Sequence, residues 1–112
     1  MATRAIIGFR NENDTITTTY NHYDGYPSHL GVQLNKFFNS KEKAKSIANE
    51  GYISFVREDG TLDQAHNDPA RTVPVNDFMQ EAKASWADFV YVFEFDQWTC
   101  INVYTGDEVI LD

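Results

Sequence analysis

Thr17–Gly31, reading Thr-Thr-Thr-Tyr-Asn-His-Tyr-Asp-Gly-Tyr-Pro-Ser-His-Leu-Gly, constrains the fold of this chain more than any other stretch. It passes from a β-prone run through an Asp-Gly turn into a helix start with no spacer between them. On the strand, Ile16, Thr18, Tyr20 and His22 share one face by the two-residue period. Thr15, Thr17, Thr19 and Asn21 share the other, which is polar and expected to meet water. Pro27 keeps Tyr26 out of the helical region. Ser28 then stands where a cap is needed for a helix whose apolar positions Leu30, Leu34, Phe37 and Phe38 fall on one side. Gly31 inside that helix costs roughly 1 kcal/mol against alanine. Its presence predicts the close approach of another backbone, the preceding hairpin being the expected neighbour.

Arg4–Arg10 and Thr15–His22 flank the turn formers Asn11-Glu12-Asn13-Asp14, which predicts an N-terminal hairpin. A second helix is expected from the Ser40 cap, with Glu42 in its first turn, Ala44, Ile47 and Ala48 inward, Lys41, Lys43 and Lys45 in solvent, and a stop at Gly51. Tyr52–Arg57 reads as a short strand before a turn at Asp59-Gly60. From Leu62 to Asn76 no period is visible, so an ordered loop or lid is expected there. Asp77 and Gln80 resemble a capping box for a helix that turns Phe78, Met79, Ala82 and Trp86 inward. Phe89–Phe95 is the clearest strand, with four aromatics on one face and Val90, Val92 and Glu94 on the other. Asp96-Gln97 is expected to turn it into Trp98–Tyr104. Two hairpins enclosing helices predict a single α+β domain over residues 1–112: an antiparallel sheet built from the N-terminal and C-terminal hairpins, with two or three helices packed on one face.

A chain of 112 residues, 42% hydrophobic and 14% aromatic, can bury roughly two-thirds of its unfolded surface and needs no metal or disulfide to hold a core. Cys100 is the only cysteine and suits a reducing, cytoplasmic setting; inside an aromatic strand it reads as packing rather than as a nucleophile. The longest apolar run, Phe89–Phe93, is too short to span a bilayer, and no apolar segment follows the charge near the N-terminus, so no membrane partner is expected. Charge is unevenly spread. Residues 1–57 hold seven Lys/Arg against five Asp/Glu, and residues 58–112 hold two against twelve, giving +2 and −10 of the total of −8. Such a balance repels nucleic acid and lipid headgroups and attracts basic protein surfaces.

Two groups of residues are candidates for function. The first is the acidic set Glu58, Asp59, Asp63, Asp68, Asp77, Glu81, Asp107 and Glu108, which can face the basic surface of another protein much as duplex phosphates do. The second is the corner Tyr20, His22, Asp24, Tyr26 and His29, an alternative place for a small, nucleotide-like ligand or for acid–base work, with Asn67–Val73 as a lid. The same corner also reads as packing, with Asp24 forming an Asx-type turn. A zinc site there lacks a third firm ligand, and no Asp-x-Asp-x-Asp-Gly calcium loop occurs, so no metal or cofactor is expected. Phosphate-cradling glycine loops, the Gly-x-Ser-x-Gly elbow and the His-Glu-x-x-His pair are missing from the sequence, and no catalytic residue is assigned. The aromatics of Phe89–Phe95 lie among Asp88, Glu94 and Asp96, which argues against stacking on single-stranded nucleic acid.

The order Tyr20-x-His22-Tyr23-Asp24-Gly25-Tyr26, followed by Gly31, Leu34 and a lysine-rich helix ending at Gly51-Tyr52-Ile53-Ser54, resembles a family of small phage and prophage proteins. The likeness covers about Ala2–Ser54 and includes Arg4 and the turn at Asn13-Asp14-Thr15. The residue between histidine and Asp-Gly is often tryptophan or phenylalanine in that family; here it is Tyr23. The family has no general assigned activity. By analogy with phage proteins of this size, the resemblance implies a host-takeover or counter-defence factor that binds and blocks a host protein in the cytoplasm of an infected or lysogenic bacterium.

Overall fold

The computed structural model of the chain describes residues 2–111. In order along the chain lie β1 (Ala5–Arg10), β2 (Thr15–Asn21), a wide helical turn (Pro27–Gly31) that runs into α1 (Val32–Phe37), then α2 (Lys41–Ala48), β3 (Tyr52–Ile53), β4 (Phe55–Val56), β5 (Leu62–Asp63), β6 (Arg71–Pro74), a 3-10 turn (Val75–Asp77) leading into α3 (Phe78–Ala84), β7 (Phe89–Glu94), β8 (Gln97–Asn102) and β9 (Glu108–Val109). The main sheet runs β3-β2-β1-β7-β8-β9, with β6 also paired to β2, while β4 and β5 form a separate two-stranded arm.

The α+β class stands, and both expected hairpins are present, β1 with β2 and β7 with β8. The sheet, however, is mixed rather than antiparallel: β1 pairs parallel with β7, and β2 parallel with β3. The helices also divide between the two faces instead of sharing one. β1 and β7 are apolar on both sides and must be covered on both. Ala5, Ile7, Phe9, Tyr91 and Phe93 meet Leu30, Leu34, Ala44 and Ile47 from α1, α2 and the turn before them. Ile6, Val90 and Val92 meet Phe78 and Ala82 of α3. Gly8 makes room for α3, since a Cβ there would stand 2.7 Å from Ile16 Cγ2 and 3.2 Å from the Phe78 ring.

Several local expectations shift for identifiable reasons. Ser40 does cap α2, accepting from the Lys43 N–H at 3.3 Å, and Gly51 follows the helix at φ 86. Ser28 does not cap; Tyr26 holds that place with Pro27 in the first turn. The Asp77 side chain makes no capping bond, because the 3-10 turn winds directly into α3. The segment read as a loop or lid contains β5 and β6, and β6 pairs with β2 from Thr15↔Pro74 to Thr18↔Arg71. Gly31 approaches Leu111 rather than the hairpin. The polar face of β2, expected to be wet, is in part fully buried: Thr19 Oγ1 donates to the Ala48 carbonyl at 2.7 Å and accepts from the Gly51 N–H at 3.0 Å. Those two bonds satisfy the end of α2 and let a threonine sit in the core. No helix among the described residues is long and apolar enough to cross a membrane.

Candidate functional site

The Tyr20–His29 corner is held by its own internal bonds. The Tyr20 hydroxyl and His22 Nδ1 share a hydrogen bond of 2.7 Å, and burial, the largest influence, raises the Tyr20 pKa. His22 also meets Tyr23 edge-on at 4.4 Å between ring centres. Asp24 takes a left-handed conformation at φ 55, which aspartate tolerates better than most residues. Gly25 follows because nothing larger fits: a Cβ there would stand 2.8 Å from both the Ala5 Cβ and the Thr3 carbonyl. The Gly25 carbonyl accepts from the buried Tyr91 hydroxyl at 2.7 Å. His29 donates from Nε2 to the Val56 carbonyl at 2.6 Å, since a carbonyl can only accept, and its ring stacks on Phe55 at 5.1 Å. Tyr26 packs against His29 at 6.1 Å. Thus each histidine already has a partner, and the two partners lie on different elements. Of the segment proposed as a lid, Arg71–Val73 belong to β6; the preceding loop reaches this region through His66, edge-on to Tyr52. Among the described residues no group of three or more His, Cys, Asp or Glu is arranged to hold a metal ion.

The acidic set falls into three places. Glu58, Asp59 and Asp63 sit on the β4–β5 arm, and Asp68 sits on the loop that leaves it, all exposed. Asp59 Oδ1 accepts from the Thr61 N–H at 3.0 Å and from its hydroxyl at 2.7 Å, and these bonds, the hydroxyl's first, hold its carboxyl below the usual range. Asp63 pairs loosely with Arg57 at 3.6 Å. Asp77 and Glu81 lie on and before α3, where Glu81 pairs with Arg71 at 3.0 Å. Asp107 and Glu108 belong to the β9 edge, five strand spacings from β3, or on the order of 24 Å. The structure gathers Glu58, Asp59 and Asp63 on the β4–β5 arm, sets the Asp68 backbone against Gly51, and keeps the others apart.

Two further features escaped the sequence reading. An open groove of about 870 Å³ runs between the β1–β2 turn, the β7–β8 turn and α2. Phe9 and Phe93, stacked at 6.1 Å, line it together with Lys41 and Lys45 of α2 and Asp96. Arg10 in its wall is already held by Asp14 at 2.9 Å and Glu94 at 3.4 Å. Lys41 and Lys45 are exposed, as the helical period predicts, and their four-residue spacing sets both along the groove. The second feature is a pair of exposed aromatics, Trp86 and Tyr104, flanking a smaller cleft. Trp86 was expected inside the α3 face; Ala84 is the last helical residue, so the helical period no longer applies two residues later. Comparison with known proteins finds no family model that matches this chain and no match among curated proteins or solved structures.

Proposed function

We propose that this chain is a small acidic accessory protein that binds and blocks the basic surface of a host protein, with the β4–β5 arm as its leading contact. The observation that carries the reading is the arm itself. Residues 57–68 hold Glu58, Asp59 and Asp63 on a two-stranded element packed against Phe37, with Asp68 on the loop that follows, and Arg57 is the one Lys or Arg among them. Carboxylates on a short, hydrogen-bonded arm present a fixed field, which raises encounter rates with a basic surface and disfavours acidic ones. The resemblance of Ala2–Ser54 to phage and prophage proteins supports a host protein as the target.

A tagged bait incubated with bacterial lysate at low and moderate salt tests this, beside a second bait with Glu58, Asp59, Asp63 and Asp68 changed to lysine. The expected result is a host protein held by the native bait, released by salt and lost by the variant. Capture that neither salt nor charge reversal weakens would remove the arm from the account.

A second reading, a small-ligand binder, draws on the groove rather than on the histidine corner, because its volume lies within the range of ligand sites. Thermal-shift screening of nucleotides and divalent metals tests it, with loss of any shift in a Lys41→Glu, Lys45→Glu variant as the expected signature.

A further inference from the structure

The end of α3 is closed by an arrangement that ordinarily calls for glycine. The Trp86 N–H donates to the Lys83 carbonyl at 3.1 Å, and the Ala87 N–H donates to the Ala82 carbonyl at 3.0 Å. This pair of bonds is the Schellman closure, whose left-handed residue is usually glycine or asparagine. Here that residue is Trp86, at φ 60. A bulky Cβ in the left-handed region is costly, and burial of the indole does not offset it, since Trp86 is 72% exposed. The apolar contact that usually completes the closure is made without it, by the buried pair Ala82 and Ala87. A side chain that destabilises its own helix end and stands in water points to a role outside folding.

Tyr104, 73% exposed in the turn after β8, stands near it. Both rings line a cleft of about 300 Å³ floored by Ala87 and Val103, with the exposed Lys83 as its one lining cation. Charges of both signs border the cleft, Asp88 and Arg4 both lying close enough to act on the Tyr104 hydroxyl. The Asp88 carboxylate lies beside the Tyr104 hydroxyl and raises its pKa. Asp107 follows Tyr104 in the same turn, which the Asn102 N–H closes onto the Asp107 carbonyl at 2.9 Å, and Glu108 opens β9. None of these three carboxylates forms an ion pair among the described residues.

We propose that this cleft receives an arginine side chain from a basic protein partner, its guanidinium held against the Trp86 and Tyr104 rings within reach of the Asp88 carboxylate, on the half of the chain that carries twelve Asp/Glu against two Lys/Arg. The inference rests on the binding role proposed above and gives it an anchor. A cleft of this size suits one side chain rather than a cofactor. Its apolar floor accepts an aliphatic stem, and its aromatic walls accept a flat, weakly hydrated cation better than a compact ammonium. Tryptophan and tyrosine are also the residues on which binding energy concentrates. Lys83 opposes the incoming charge, so its removal tightens binding.

The test is the anisotropy of a fluorescein-labelled Gly-Arg-Gly-Arg-Gly peptide titrated with the protein, compared with lysine and glutamate analogues. Saturable binding is expected for the arginine peptide, weaker for lysine and none for glutamate. Trp86→Gly is expected to weaken arginine-peptide binding at least about tenfold while raising the melting temperature, because glycine suits the closure. Tyr104→Ala weakens binding in the same way, and Lys83→Gln tightens it a few-fold. Equal binding by the native and Trp86→Gly proteins, preference for the glutamate peptide, or a lower melting temperature for Trp86→Gly would each overturn the proposal. The lysate capture separates the two ideas. If the Trp86→Gly bait keeps the host protein that the arm variant loses, the arm stands and the cleft falls. If the peptide binds yet neither bait captures anything, the cleft stands and the blocking role falls.

Discussion

At the scale of single residues, the glycine and histidine positions of the Tyr20–Gly31 motif are set by contacts inside the fold. Gly25 lies against Thr3 and Ala5, Gly31 against Leu111, and His29 holds the Val56 carbonyl. His29→Ala leaves that carbonyl without its donor and Phe55 without its stacked ring. We expect a loss of about 1–3 kcal/mol in urea denaturation; an unchanged midpoint would show that the bond contributes nothing. The reverse is expected at the β7–β8 turn. There Phe95 and Asp96 both have positive φ, at 54 and 59, and Phe95 is 87% exposed. Two-residue turns of this hand favour Asn-Gly. Phe95→Asn with Asp96→Gly is therefore expected to stabilise the chain by about 1 kcal/mol, read from the same denaturation curve. The alternation of Phe89–Phe93 continues in the sequence to Phe95, so the pattern put a fourth aromatic on the strand. The hydrogen-bonded register Glu94↔Gln97 decides otherwise, and a register is a relation between two strands that one strand cannot display.

At the scale of elements, the Ser40 cap, the Gly51 stop and both hairpins are written in adjacent residues. Local signals also misdirect, since neither Ser28 nor Asp77 caps a helix and the second hairpin turns at Phe95-Asp96 rather than Asp96-Gln97. Other differences depend on distant partners. β6 is Arg-Thr-Val-Pro, with Val73 its only buried residue, and becomes a strand because β2 offers it an edge. β2 in turn buries Thr19 because the end of α2 supplies a carbonyl and Gly51 an N–H. Threonine here joins strand, helix and turn, so Thr19→Val keeps the shape and removes both bonds. The Gly51 N–H and the Ala48 carbonyl would be left unpaired in the core, at an expected cost of about 2–4 kcal/mol in the urea midpoint. A loss below 0.5 kcal/mol would show that these groups find other partners. The acidic residues were legible as types, but their grouping was not. Only the β4–β5 arm, whose register is Phe55↔Asp63 and Val56↔Leu62, gathers three of the eight, and the sequence pattern shows no partner for Leu62.

At the scale of the whole molecule, about 30 Å in each direction, the arm and the segment after β9 both pack on the turn before α1, through His29 and Gly31. The core sets the response to alkali. Cys100 and Tyr91 face each other across β7 and β8, and both are fully buried. Burial pushes the Cys100 thiol up to about 11, even though the Tyr91 hydroxyl beside it acts in the opposite sense, and burial raises Tyr91 further still. For an acid whose folded pKa is raised, the folded state favours the neutral form. The stability this contributes is complete below the ordinary thiol value near 9.0 and is lost as pH rises towards 11. Urea midpoints are therefore expected to hold level to about pH 8 and to fall between pH 9 and 11, with a shallower fall in Cys100→Ala between pH 9 and 10. The same burial predicts that a disulfide exchange reagent at pH 8 reacts with Cys100 only as fast as the fold opens, because the thiolate is the reactive form. Rapid labelling of the native chain, or identical slopes for Cys100→Ala and the parent, would mean that the β7–β8 core admits water around the thiol.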